Sequence, residues 1–186
     1  MPEITDEFIL SLFSNEKTKE KAFELLLKKY QKHIYYNARR IVTVHEDADD
    51  VTQNVCIKIW KNLDRFRNES SLKTWISRIC VNESLTYIEK KKKMLNLDDD
   101  ESYTDFLLKT HDDFNTVTPN QIEQFMQEEI AKLPPKQRAV FTMRYYDETP
   151  YAEMSKIFDT SESALKASYH FAAEKIKKNI SERLTF

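Results

Sequence analysis

Residues 150–178 read PYAEMSKIFDTSESALKASYHFAAEKIKK, and this stretch decides the fold class of the region around it. Tyr151, Met154, Ile157 and Phe158 stand three and four apart and share one helical face. Asp159-Thr160-Ser161 interrupts the pattern. Leu165, Tyr169, Ala172, Ile176 and Ile180 then resume it, with Ser161 placed to N-cap a second helix. Two short helices around a tight turn fit a helix-turn-helix, which lays its second helix in the major groove of DNA. They fit equally an αα-hairpin inside any helical domain.

Composition extends the helical reading to the whole chain. Its 186 residues contain no glycine, where average usage of about 7% predicts roughly 13. Two-residue hairpins rely on Gly, Asn-Gly or Asp-Gly for positive φ, so a sheet-rich fold is disfavoured. Helix ends manage with Asn or Asp in the left-handed region. The expected class is therefore all-α.

Charge is distributed unevenly. Residues 1–93 carry 18 Lys/Arg against 14 Asp/Glu, residues 94–118 one against seven, and residues 119–186 ten of each. The acidic, weakly periodic middle reads as a solvated linker between two helical domains, 1–93 and 119–186. Phe106, Leu107 and Leu108 retain some capacity to dock locally. The run Asp98-Asp99-Asp100-Glu101 lacks the alternation and glycine of an EF-hand.

Within the first domain, Phe8, Ile9, Leu12 and Phe13 mark a short helix. A long one follows through Ala22, Phe23, Leu26, Leu27, Tyr30, Ile34, Tyr35, Ala38, Ile41 and Val42. Thr43-Val44-His45-Glu46 fits a capping box for a third helix with Ala48, Val51, Val55 and Ile59 inward. Its acids Glu46, Asp47, Asp49 and Asp50 suit the positive helix end. Asp50, beside Gln53 and Asn54, continues onto an outward face that fits a basic partner. Ser71 is a candidate N-cap for a fourth helix whose Leu72, Trp75, Ile76, Ile79 and Cys80 form an inward stripe. Lys73, Thr74, Ser77, Arg78 and Asn82 occupy its other face, and the helix runs into Lys90–Lys93, a block that fits either phosphate contact or fraying into solvent. Cations and amides beside aromatics suit single-stranded nucleic acid, although Trp75 reads as core from its position alone.

Several function classes drop out. Cys56 and Cys80 stand apart in apolar context, as reduced core residues of a cytosolic protein. His33, His45, His111 and His170 lack metal-ligand spacing. Without glycine there is neither a phosphate-cradling loop nor a GxSxG elbow. Neither an enzyme nor a metal or cofactor site is expected. No apolar run reaches 18 residues, and the N-terminus lacks the pattern of a signal peptide.

Taken together, EDADDVTQNVCIKIWKNLDRFRNESSLKTWISRICVNESLTYIEKKKK at 46–93 and LPPKQRAVFTMRYYDETPYAEMSKIFDTSESALKASYHFAAEKIKK at 133–178 resemble a sigma-70 family sigma factor of the extracytoplasmic-function (ECF) type. KAFELLLKKYQKHIYYNARRIV at 21–42 extends the likeness. The resemblance implies a region 2 domain, the linker, and a region 4 domain. It implies that Asp47, Asp50, Gln53, Asn54 and Trp60 meet core RNA polymerase. Arg67, Asn68, Glu69, Ser70 and Ser71 then form the loop that pockets a flipped base of the −10 promoter element. Lys73, Thr74, Trp75, Arg78 and Asn82 meet the melted strand. For the −35 duplex the resemblance leaves Ser161, Ser163, Lys166, Ser168, His170 and Lys175, with Lys177 and Lys178 near phosphates. An anti-sigma protein is a further implied partner, the location is cytoplasmic, and membrane insertion is not expected.

Three departures from the family pattern stand out. Asn54 occupies a position usually held by Glu, and Asp159 one commonly held by Gly. Residues 160–178 also contain no Arg, Asn or Gln, the side chains of the commonest bidentate base contacts. A stand-alone helix-turn-helix regulator is the alternative function.

Overall fold

The computed structural model describes residues 4–110 and 121–184. Among these residues there is no strand, in agreement with the all-α expectation. The helices are α1 (Asp6–Phe13), α2 (Lys19–Val42), α3 (His45–Asn62), α4 (Leu72–Met94) and α5 (Asp100–Thr110). They continue as α6 (Gln121–Ala131), α7 (Pro135–Tyr145), α8 (Tyr151–Phe158) and α9 (Glu162–Leu184), with a short 3-10 turn at Leu63–Arg65.

Polar side chains start several of these helices. Thr5 Oγ1 accepts from Phe8 N (3.3 Å) at α1, and Ser71 Oγ from Thr74 N (3.1 Å) at α4. Pro135 opens α7, where its missing N–H costs nothing. In the absence of glycine, the left-handed positions fall to Thr43, Asn68, Asn96, Glu148 and Asp159. Asp159 (φ 51°, ψ 49°) ends α8 in that region, as its short polar side chain allows. Thr43 departs from expectation. It is the left-handed C-cap of α2, its hydroxyl donates to Val42 O (2.6 Å), and Val44 occupies the N-cap of α3. The capping box does not form because the hydroxyl is turned back to the preceding helix.

Ile9, Leu26, Ile34, Ile59, Leu72 and Ile76, all fully or almost fully buried, form the core of a bundle of α1–α4. A smaller core of Ile130, Leu133, Phe141, Ala172 and Ile176 joins α6, α7 and α9. The two halves do not stand apart. Ala139, Val140 and Met143 of α7, with Met154 and Ile157 of α8, belong to the first core. Phe8 of the first helix is exposed rather than packed inward.

The acidic segment is the main correction. Residues 100–110 form α5, whose Tyr103 and Leu107 are buried in the bundle core, one helical turn apart. Asp99 caps the helix, its Oδ1 accepting from Ser102 N (2.7 Å), and that hydrogen bond holds its carboxyl below the usual range. Within the lysine run, Lys91 and Lys92 are engaged rather than frayed. Lys91 pairs with Asp47, while buried Lys92 meets Glu89 (3.0 Å) and Asp100 (2.7 Å). Asp100 of the linker thus answers Lys92 of α4. The boundary expected between residues 118 and 119 lies outside the described residues.

Candidate nucleic-acid interface

Burial of Leu72, Ile76 and Cys80 fixes the rotation of α4, leaving Lys73, Arg78 and Asn82 in solvent. Arg67, Asn68 and Glu69 are exposed in the loop that leads into the helix, turned there by Asn68 at φ 56°. Half-buried Phe66 and Trp75 meet with ring centroids 5.4 Å apart, so Trp75 is partly core and partly wall. Together with Arg65, Arg67, Glu69, Ser70 and Arg78 they line a cleft of about 650 Å³. Aromatic walls rimmed by guanidinium groups can stack a base and track its phosphate.

Two residues of the expected polar face are not free to meet a ligand. Thr74 is only 4% exposed, with its hydroxyl 2.8 Å from Ser71 Oγ and 3.3 Å from Glu153 Oε2 of α8. Buried Ser77 meets His33 Nε2 at 2.9 Å. Burial, aided by the Lys73 ammonium, holds the His33 imidazole below its ordinary value. The far wall of the cleft comes from α8 and its cap: Ser155, Lys156 and Asp159. The second half thus covers part of the surface that the first half presents.

Polar clasps fasten this cover. Arg40 of α2 pairs with Asp147 (2.5 Å), and its guanidinium lies 4.6 Å from the Tyr146 ring centroid. Arg138 is 0% exposed and donates to Ile41 O (2.8 Å), Ala131 O (2.6 Å) and Leu133 O (3.0 Å). Burial lowers its guanidinium to about 10. One side chain therefore braces its own half and reaches into the other.

On α3, Asp50, Gln53 and Asn54 are exposed along one face, as expected from their spacing. Asp47 is not part of that face. It is 5% exposed, accepting from Tyr87 Oη (2.9 Å) and Lys91 Nζ (2.7 Å), so it ties α3 to α4. Trp60 is half-buried edge-on against Phe13 (5.6 Å) and Phe23 (5.0 Å), where it holds α1 and α2. Ile57, one turn beyond Asn54, is exposed on the same face. It was missing from the expected set, although its place outside the inward series Val51, Val55, Ile59 marks it.

At the start of α9, Ser161 Oγ accepts from Ala164 N (3.3 Å), the expected N-cap. Lys166 is exposed but pairs with Glu162 (3.4 Å) and lies 5.5 Å from the Tyr151 ring centroid. Ser163, His170 and Lys175 are exposed, whereas Ser168 is half-buried and its carbonyl accepts from Gln137 Nε2. Sequence reasoning passed over Phe171, which is 67% exposed on this helix.

Residues 26–94 match Sigma-70 region 2, and residues 126–176 match Sigma-70, region 4. The ECF RNA polymerase sigma factor SigW of Bacillus subtilis is 26% identical over 172 residues, which cover 89% of this chain and 92% of SigW. The ECF RNA polymerase sigma-E factor of Escherichia coli is 26% identical, covering 96% and 95%. The chain belongs to the sigma-70 family and is an ECF sigma factor. In fold this sigma factor is similar to RpoE of Bartonella quintana, solved with the anti-sigma factor NepR: TM-score 0.65, 18% identity, 85% of this chain and 96% of that one. It is also similar to CnrH, solved with the cytosolic domain of CnrY: TM-score 0.66, 17% identity, 95% and 97%.

The region 2 match of this sigma factor closes with α4, and the region 4 match runs from within α6 into α9. Helix α5 belongs to neither. Among the described residues, no group of His, Cys, Asp and Glu is arranged to hold a metal, and no helix is long and apolar enough to cross a membrane.

Proposed function

We propose that this sigma factor directs core RNA polymerase to promoters and helps melt them, acting by binding in the cytoplasm with no reaction of its own. Its first domain, 1–93, meets polymerase through Asp50, Gln53 and Asn54 of α3, with Ile57 as an apolar centre for that face. Asp47 and Trp60 serve the same contact indirectly, by fixing α3 to its neighbours. The −10 strand runs along Arg67, Lys73, Arg78 and Asn82, with a base at the Phe66–Trp75 cleft. The last domain, 119–186, sets α9 in the −35 duplex, and 94–118 joins the two.

The observation that carries this reading is the cleft itself. Guanidinium groups and two aromatic rings converge beside the exposed cations of α4, which is the chemistry of a melted strand. In the closed arrangement Glu153 and Asp159 stand against that surface, so α8 must swing away before a strand can lie there. Once polymerase holds the first domain, a weak second grip acts at roughly millimolar effective concentration. The complexes of RpoE with NepR and of CnrH with CnrY support an anti-sigma partner for this chain as well.

Multi-round transcription with purified core polymerase on genomic DNA tests the proposal. Discrete, factor-dependent start sites are expected. A folded, uninhibited protein that yields none would sink it. Asp50→Ala with Gln53→Ala should weaken polymerase binding without loss of helicity.

A further inference from the structure

We infer that Phe171, in line with Ala164 and Ala167, reads thymine methyl groups in the −35 duplex. This rests on the promoter role proposed for α9. Ala164, Ala167 and Phe171 recur at i, i+3 and i+7 and are all exposed. The opposite face is the buried series Leu165, Ala172 and Ile176. Phe171 therefore belongs to an outward apolar strip along the helix-turn-helix's second helix and is not an isolated surface ring. Phe141 and Phe158 of this half are buried, and Phe125 is half-buried beneath Arg183.

The chemistry left on α9 narrows what the strip can read. Residues 160–178 have no Arg for guanine O6 and N7, and no Asn or Gln for adenine N6 and N7. Thymine alone presents an apolar group in the major groove, its C5-methyl, and Ala and Phe are side chains that contact it. Lys175 and Lys178, exposed beside the strip, supply the charge that phosphates require. A protein partner would use the same ring without regard to DNA methyls.

The test uses holoenzyme and a promoter mapped by its own transcripts. The −35 duplex is synthesised with thymidine or with 2′-deoxyuridine, which lacks only the methyl. Burial of one methyl-sized group gives the expected effect, about a three- to fourfold fall in initiation per methyl removed. F171A, which keeps only the short alanines of the strip, should lose most of that difference between templates. Because the ring is exposed, folding of the variant should be unchanged, as circular dichroism can verify. Equal initiation by the unaltered protein on the two templates overturns the inference, as does methyl dependence that is undiminished in F171A. Both results leave the promoter role standing. Absence of directed initiation on either template overturns that role and this inference with it.

Discussion

Helices α4 and α9 present the two candidate DNA faces, and they solve opposite problems. The face of α4 is chemically strong, with Lys73, Arg78 and the Phe66–Trp75 cleft, but it is already engaged. Glu153 meets Thr74, and Lys156 with Asp159 walls the cleft. The face of α9 is chemically weak, with serines, alanines, one histidine and an exposed phenylalanine, yet among the described residues no other helix covers its outward Ala164, Ala167 and Phe171. Strong contacts that are always available would bind nucleic acid without polymerase. A cover built from the weaker half makes use of the strong face conditional on moving that half. The contrast places control at the joint between halves rather than at either face.

The largest expected effect lies at that joint. Arg138→Met removes a guanidinium that serves three buried carbonyls, two in its own half and Ile41 O across the joint. Each buried polar group left unpaired costs about 1–3 kcal/mol, so a loss of about 3 kcal/mol or more is expected in chemical denaturation. A loss below about 1 kcal/mol would mean that water replaces the guanidinium, and the joint would then be looser than its geometry implies. Next comes the difference between the faces. Lys73→Ala with Arg78→Ala should reduce initiation about tenfold and flatten the salt dependence of single-strand binding by about 0.7 for each phosphate that is no longer neutralised. Lys166→Ala should cost only about twofold in −35-dependent initiation, because Lys166 already pairs with Glu162. Equal losses from α4 and α9 would erase the asymmetry.

The sequence carried the fold class clearly and the joint hardly at all. Helical spacing around Leu72–Cys80 and Leu165–Ile176 marked the helices α4 and α9, and the absence of glycine argued against hairpins. The Ser71 and Ser161 caps were legible because an N-cap depends on residues three apart. Asp47, Thr74 and Trp60 were misplaced for a common reason. Their partners Lys91, Glu153 and Phe13 are distant in sequence, so local pattern cannot distinguish a polar residue facing solvent from one facing another helix. Helix α5 was obscured by composition, since its buried apolar residues, Tyr103 and Leu107, sit among acids that fix the average. Phe171 was overlooked because attention to charge hides an apolar residue on a polar face.

A modest effect, read as strand affinity, is expected from the partly exposed clasp. Asp147→Asn with Glu153→Gln removes the carboxylates that meet Arg40 and Thr74 while keeping side-chain shape. Ion pairs that water reaches are worth about 0.2–1 kcal/mol, so the closed arrangement should weaken by about that much. The free protein should then bind a single-stranded −10 oligonucleotide about two- to fivefold more tightly, and fluorophores on α4 and α8 should report a longer distance. Unchanged affinity would show that the α8 cover does not compete with the strand.

The smallest expected effect is a pH dependence centred on His33, which lies under the joint. Around it stand Asn37 and Arg40 from α2, Lys73 and Ser77 from α4, and Asp147 and Glu153 beyond α7. Burial, then the Lys73 charge, lowers its pKa from the ordinary 6.5, with Asp147 opposing them. The unfolded chain therefore takes up this proton first as pH falls. The contribution of neutral His33 is complete above 6.5 and declines through that value towards the lower folded one. Melting temperature should hold steady down to about pH 7 and then fall before most carboxylates titrate. His33→Gln, which keeps a neutral hydrogen-bonding group, should flatten that decline. An equal decline in the variant would show that His33 is not its source.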